Sequence, residues 1–194
     1  REPRWFTAWR KVKVLETFML PKVVREVFGQ KSCPIGDAYL KFENDVRLGC
    51  ETCEELFTPN APHIDLALNG VEIISNGSGS HHQLRKLNQR VDLIESATKK
   101  SGGCYLYSNQ RGCDGGRLYY DGCALISLNG EILKQGEQFS VEDVEVSVAR
   151  VDLNEIVSFR AAVASQQVEM AGKKEPKYPF VEVDFDLCDD DDMN

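Results

Sequence analysis

The sequence predicts an α/β layered domain, on three observations. Stretches with apolar residues three and four apart are interleaved with short strand-like runs rather than segregated from them. An Asn129-Gly130 pair sits between two such runs, the strongest hairpin signal in the chain. The length of 194 residues suits one domain, and a chain of that size buries roughly 70% of its unfolded surface without staples.

Each element follows from its own residues. From Glu16 to Phe28, Phe18, Val23, Val24 and Val27 recur at helical spacing, with Pro21 tolerable only near a first turn or at a kink. Gly29 closes this helix, and Pro34-Ile35-Gly36-Asp37 turns the chain. Two short strands are expected at Ala38–Phe42 and Val46–Gly49, joined through Asn44-Asp45. Val71–Ile74 and Cys104–Ser108 read as buried strands. Between them Leu84, Leu87, Val91 and Ile94 predict an amphipathic helix. Ala124–Leu128 and Ile132–Gln135 form the hairpin around Asn129-Gly130. Val144, Val146 and Val148 alternate with polar residues, as in a half-exposed strand. Asp152 and Glu155 predict a capping box opening a helix over Leu153–Gln167.

Charge and cysteine usage narrow the function classes. The formal charge is −8, but Glu182, Asp184, Asp186 and Asp189 to Asp192 supply seven acids with no base after Lys177. Residues 1–181 hold 23 bases against 24 acids. That balance argues against a nucleic-acid partner. No apolar run approaches the roughly 20 residues of a membrane span, and no signal-peptide core opens the chain, so no membrane association is expected. Seven evenly spread cysteines, an odd count, favour free thiols in a reducing compartment, which predicts a cytoplasmic location.

The most informative chemistry lies where the Val46–Gly49 strand runs into Cys50-Glu51-Thr52-Cys53-Glu54-Glu55-Leu56-Phe57-Thr58-Pro59. A sharp strand-to-helix turn exposes a nucleophile and presents backbone N–H groups to an anionic intermediate. A helix N-terminus also favours a thiolate. Cys53 fits that place, and Cys50 would still lie on the strand. The residues alone leave other readings open: Cys53 as a buried thiol, or Cys50 and Cys53 as a redox pair or half a zinc site completed by His81-His82. Adjacent histidines on an extended segment point to opposite faces, which weakens the zinc reading.

Cys53-Glu54-Glu55-Leu56-Phe57-Thr58-Pro59 resembles the nucleophile segment of the glutaminase domain in glutamine-dependent NAD synthetases, of the nitrilase superfamily of carbon–nitrogen hydrolases. Arg4-Trp5-Phe6, Pro34-Ile35-Gly36-Asp37 and Asn69-Gly70-Val71-Glu72-Ile73-Ile74 resemble the same family. So do Gly77-Ser78-Gly79-Ser80-His81-His82 with Leu84-Arg85-Lys86, and Ser108 to Gly115 leading to Arg117-Leu118-Tyr119-Tyr120-Asp121-Gly122-Cys123. Gln138-Phe139-Ser140 before Asp143-Val144-Glu145-Val146 completes the set.

The resemblance implies a nitrilase-like αββα sandwich, incomplete at its N-terminal side, over residues 1–170. Residues 171–194 are expected to be a linker and a disordered acidic tail. It implies a Glu-Lys-Cys triad: a glutamate base, a lysine that stabilises the oxyanion, and a cysteine that forms a thioester with the γ-carbonyl of glutamine. Cys53 is then the nucleophile, its own amide or a neighbour's part of the oxyanion hole, and Glu54 and Phe57 candidates for holding glutamine. Ser80, with Lys86 or Arg85, is a candidate for glutamine's charged end. No metal site is implied. The segment from Ser108 to Gly122 is expected to support the site, and Cys33, Cys104, Cys113, Cys123 and Cys188 to be structural or incidental.

In this family the base and the lysine precede the Arg-Trp-Phe block, so both are expected upstream of residue 1. The synthetase domain, with its ATP and Mg, is likewise expected outside this chain. The implied partners are glutamine, that synthetase domain, and further copies in a homo-oligomer. The reading is therefore an NAD synthase whose glutaminase feeds ammonia to ATP-dependent amidation, with little activity from this polypeptide alone. The alternative is a non-catalytic nitrilase-fold interaction module.

Overall fold

The computed structural model describes residues 11–163, 168–169, 172 and 177–187. Arg4-Trp5-Phe6, Cys188 and the Asp189 to Asp192 run lie outside the described residues.

A mixed seven-stranded sheet organises the fold, in the order β10-β9-β6-β5-β4-β3-β11. Its strands are β3 (Tyr39–Lys41), β4 (Arg47–Thr52), β5 (Ile73–Ser78), β6 (Cys104–Asn109), β9 (Leu125–Leu128), β10 (Glu131–Gln135) and β11 (Phe180–Glu182). The centre, β4-β5-β6, is parallel, while β3, β9 and β10 join antiparallel. Parallel neighbours need crossovers. The first runs through a 3-10 turn (Cys53–Phe57) and α2 (Pro62–Leu68), the second through α3 (Lys86–Ser101).

Both crossovers lie on one face, where Leu66, Val71, Ile74, Ile94, Tyr105, Tyr107 and Leu125 make the main core. Side chains alternate across a sheet, so the register Leu48↔Ile73↔Cys104↔Leu128 defines the other face. There α4 (Leu153–Ala161) covers one end, packing Ile156 against Cys104 and Leu128. Arg160 fastens this helix, donating to the carbonyls of Val71 (2.6 Å), Gly102 (2.9 Å) and Ser101 (3.1 Å). Gly102 lets it approach: a Cβ there would lie 2.9 Å from the Phe159 ring. Away from α4, Leu40 and Leu106 remain exposed. The described residues thus form this layered sheet and two small antiparallel ribbons, one of β1 (Leu15–Met19) and β2 (Ser32–Gly36), the other of β7 (Arg111–Cys113) and β8 (Tyr119–Asp121). None of their helices is long and apolar enough to cross a membrane.

Several expectations need correction. The helix expected over Glu16–Phe28 divides at Pro21 into β1 (Leu15–Met19) and α1 (Lys22–Phe28). Proline cannot sit inside a helix without losing a bond, so it stands at the entry to α1. The expected turn at Pro34–Asp37 is instead the end of β2 (Ser32–Gly36), which pairs antiparallel with β1. Gly36 is required there, since a Cβ would fall 2.0 Å from the Val14 carbonyl oxygen. Leu84 is exposed, and α3 begins at Lys86 after Arg85 in the left-handed region. Val144, Val146 and Val148 belong to no strand and are about three-quarters exposed. The helix expected over Leu153–Gln167 ends at Ala161, and at its start Asp152 accepts Asn154 N–H at 2.8 Å in place of the expected capping box with Glu155. Finally, Phe180–Glu182 is no linker: β11 adds to the sheet parallel to β3.

Candidate active site

Inward and outward positions on β4 explain the segment around Cys53. Gly49 and Glu51 point into the core and Cys50 points out. At Cys53 the chain leaves the sheet with φ +46°, a conformation L-residues avoid. Such a residue costs on the order of 1–3 kcal/mol and persists only where its surroundings fix it. Here they do: Glu55 reaches back to accept Thr52 N–H at 2.9 Å, and Thr58 Oγ1 donates to the Glu55 carbonyl at 2.8 Å. The helix expected after Cys53 is a five-residue 3-10 turn.

Cys53 itself is buried, and its N–H donates to Asn76 Oδ1 at 2.9 Å. Of the two alternatives expected for the oxyanion hole, the amide of Cys53 itself is thus engaged with Asn76. Asn76 Nδ2 donates to the Tyr105 hydroxyl at 2.9 Å, and that hydroxyl donates to Glu51. Glu51 also accepts His63 N–H at 3.1 Å and lies 3.0 Å from His63 Nδ1. Burial, and then the Glu51 carboxylate, push the Tyr105 phenol well above its usual range, so it stays a donor.

A second buried network carries the Ser80 loop. Ser80 N–H donates to Asn109 Oδ1 at 2.8 Å, and Asn109 Nδ2 returns to the Ser80 carbonyl at 3.0 Å. Asn109 also donates to Asp121 Oδ1 at 3.1 Å. Asp121 pairs with Arg90, both fully buried, and accepts from Gln138 Nε2 at 2.8 Å. Burial pushes the Asp121 carboxyl up, but Gln138, Arg90 and His82 together hold it below the usual carboxylate range.

The register sets Thr52, Gly77 and Ser108 side by side, so Cys53, Ser78 and Asn109 follow at the carboxyl ends of the three parallel strands. That end of an open α/β sheet is where ligands bind. Glu54 and Phe57 are half-buried on the turn after Cys53. Lys86 Nζ lies 5.8 Å from the Phe57 ring centre and donates to the His81 carbonyl at 3.2 Å. Lys86 thus stands between the Phe57 ring and the carbonyl of His81, beside Ser80, whose own backbone is held by Asn109. A cavity of about 570 Å³ opens beside Phe57, walled by Leu56, Ile64, Leu68, Leu93 and Ala97. Cys53 does not line it, so the volume and the strained, fixed cysteine lie apart.

The other cysteines separate from it. Cys50 Sγ lies 3.0 Å from Ser75 Oγ on the outward face, away from Cys53. The described residues contain no group of three or more His, Cys, Asp or Glu placed to hold a metal. Cys104 is in the core, its thiol pushed up to about 11 by burial.

Residues 1–161 match the model of the carbon-nitrogen hydrolase family. The chain belongs to that family. This carbon-nitrogen hydrolase chain is similar to the glutamine-dependent NAD(+) synthetases of Saccharomyces cerevisiae, 56% identical over 97% of the chain and 26% of the yeast protein. It is 60% identical to the Dictyostelium discoideum synthetase over 84% of the chain and 23% of that protein. The chain spans about a quarter of the length of these curated relatives. A solved glutamine-dependent NAD(+) synthetase from Cytophaga hutchinsonii aligns over 73% of the chain and 21% of its own, with TM-score 0.57 and 27% identity. A carbon-nitrogen hydrolase from Helicobacter pylori, 18% identical with TM-score 0.53 over 66% of the chain and 46% of its own, shares the fold.

Sequence reasoning singled out Cys53, and included Asn109 only within the supporting Ser108–Gly122 segment, but gave no role in the site to Glu51, Asn76, Tyr105 or Arg90. Inward alternation on β4 was the available signal for Glu51, because an acid at a core position demands partners. No local pattern marks Asn76, whose partners lie 23 and 29 residues away.

Proposed function

We propose that this chain is the cysteine-bearing part of a glutaminase, hydrolysing the side-chain amide of glutamine to supply ammonia to an NAD synthetase. The observation that carries the reading is Cys53, held at φ +46° where a strand meets a turn at the carboxyl end of a parallel sheet. The family match and the similarity to glutamine-dependent NAD(+) synthetases support it.

In this reading Cys53 Sγ bonds to the γ-carbonyl carbon, the C–N bond breaks, and the nitrogen takes a proton and leaves as ammonia. Water then adds to the thioester, the C–S bond breaks, glutamate departs and the sulfur regains its starting state. Glu54 and Phe57 flank the amide end of glutamine, and Ser80 and Lys86 its α-amino acid end. The glutamate base and the oxyanion lysine lie N-terminal to Arg1, and ATP and Mg²⁺ belong to the synthetase domain. The whole enzyme works in the cytoplasm as a homo-oligomer.

The test is ammonia release from glutamine, by this chain alone and by the chain joined to its natural preceding sequence. The longer protein should turn over, and Cys53→Ala in it should fall to background. Undiminished release by that variant would sink the nucleophile assignment. Near-normal turnover by this chain alone would sink the placement of the base and lysine.

A further inference from the structure

The Cys53 backbone conformation is unfavourable by itself, so something must hold it. One side-chain contact does so from the core side: Asn76 Oδ1 accepts the Cys53 N–H at 2.9 Å, with Asn76 only 1% exposed. An amide side chain can present oxygen or nitrogen, so a contact of this kind works only if the amide cannot flip. Tyr105 prevents the flip, because Asn76 Nδ2 donates to its hydroxyl at 2.9 Å. The hydroxyl accepts there only because its own proton is taken by Glu51. Glu51 is 2% exposed and pinned by the N–H of His63 at 3.1 Å and by Nδ1 of the same residue at 3.0 Å. The four groups form a directional chain, each fixing the polarity of the next.

We propose that Asn76 is a positioning residue for Cys53, kept in its working orientation by Tyr105 and Glu51. The relay rests on the reading of Cys53 as nucleophile and gives it a second consequence. Because the Cys53 N–H points down to Asn76, the oxyanion is met by donors other than that amide. Asn76 thereby sets both the direction of the thiol and the composition of the oxyanion hole, without touching substrate.

Amide hydrogen exchange, read by NMR on this chain, tests the relay directly. Asn76→Ala should speed exchange at the Cys53 amide at least tenfold, leaving the amides of Ile74 and Leu106 in the sheet ladder unchanged. Tyr105→Phe, which keeps the ring and loses only the hydroxyl, should act in the same direction more weakly, and serves if Asn76→Ala does not fold. Asn76→Asp keeps the acceptor oxygen and should retain Cys53 protection. A merely space-filling Asn76 would not show that rescue. Unchanged Cys53 exchange in Tyr105→Phe and in a folded Asn76→Ala overturns the proposal.

Labelling of Cys53 by the glutamine analogue diazo-oxo-norleucine, with the preceding sequence supplied, separates the two ideas. Relay-dependent exchange without labelling removes the glutaminase reading and leaves the relay. Labelling that is indifferent to Asn76→Ala and Tyr105→Phe does the reverse.

Discussion

Asp121 shows at the scale of a single residue how much one buried charge can govern. It neutralises Arg90 in the core and also receives Asn109, which holds the Ser80 loop. Removing one partner of a buried pair leaves the other charge uncompensated, so Asp121→Ala should cost about 3–5 kcal/mol in urea unfolding. The folded carboxyl lies below its ordinary value. Its contribution is therefore complete above about pH 4, where the unfolded carboxyl is ionised, and is lost as pH falls through the folded value. Asp121→Asn should flatten the acid limb of the stability profile; an acid limb like wild type would refute this. Cys104 works at the opposite end. Its thiol, at about 11 in the folded state, is neutral where an unfolded thiol, near pH 8.5, already ionises. Stability from this group is full below about pH 8.5 and is lost as pH rises through the folded value. Cys104→Ala should flatten the alkaline limb, measured by equilibrium unfolding across pH 8 to 11.

Among elements, β11 is the one whose contribution the composition hides. It lies in the most acidic stretch of the chain, yet its backbone pairs with β3 and its neighbour Tyr178 is only 4% exposed. Tyr178 packs in the main core, and its N–H donates to Asn69 Oδ1 at 3.1 Å. Tyr178→Ala should destabilise by roughly 3–5 kcal/mol, as aromatic truncations in cores do. A disposable tail would lose less than about 0.5 kcal/mol. Chemical denaturation distinguishes these outcomes. The Val144, Val146 and Val148 segment is the converse case, apolar in sequence but exposed in the fold. Val146→Ser in this chain should change stability by less than about 0.5 kcal/mol.

At the scale of the whole molecule, the described residues cover the two faces of the sheet unequally. The crossovers from β4 to β5 and from β5 to β6 return on the same side, and among the described helices α4 packs on the other. Leu40 and Leu106 stand on the open part, each 37% exposed, with Cys50 between their strands. An open apolar sheet face invites association. This chain at high concentration should self-associate through it, and Leu106→Lys should shift sedimentation velocity towards monomer. Association undiminished by that change would place the contact elsewhere.

The sequence by itself determined the elements whose information is local. Asn129-Gly130 dictated the β9-β10 hairpin, Leu87, Val91 and Ile94 placed α3, and the strand-to-turn junction marked Cys53 before any contact was known. Backbone propensity and alternation act over a few residues, so they can be read in a line. Local pattern failed where two elements share an apolar rhythm, as at Pro21, and where exposed valines imitate a strand. Tertiary structure alone decided what holds Cys53. Asn76, Tyr105 and Glu51 sit on three different strands, and only the sheet register brings them into one hydrogen-bonded chain. It also decided that Phe180–Glu182 belongs to the sheet, because β3 offers an edge that no feature of that segment announces. Buried polar groups must find partners wherever the fold supplies them.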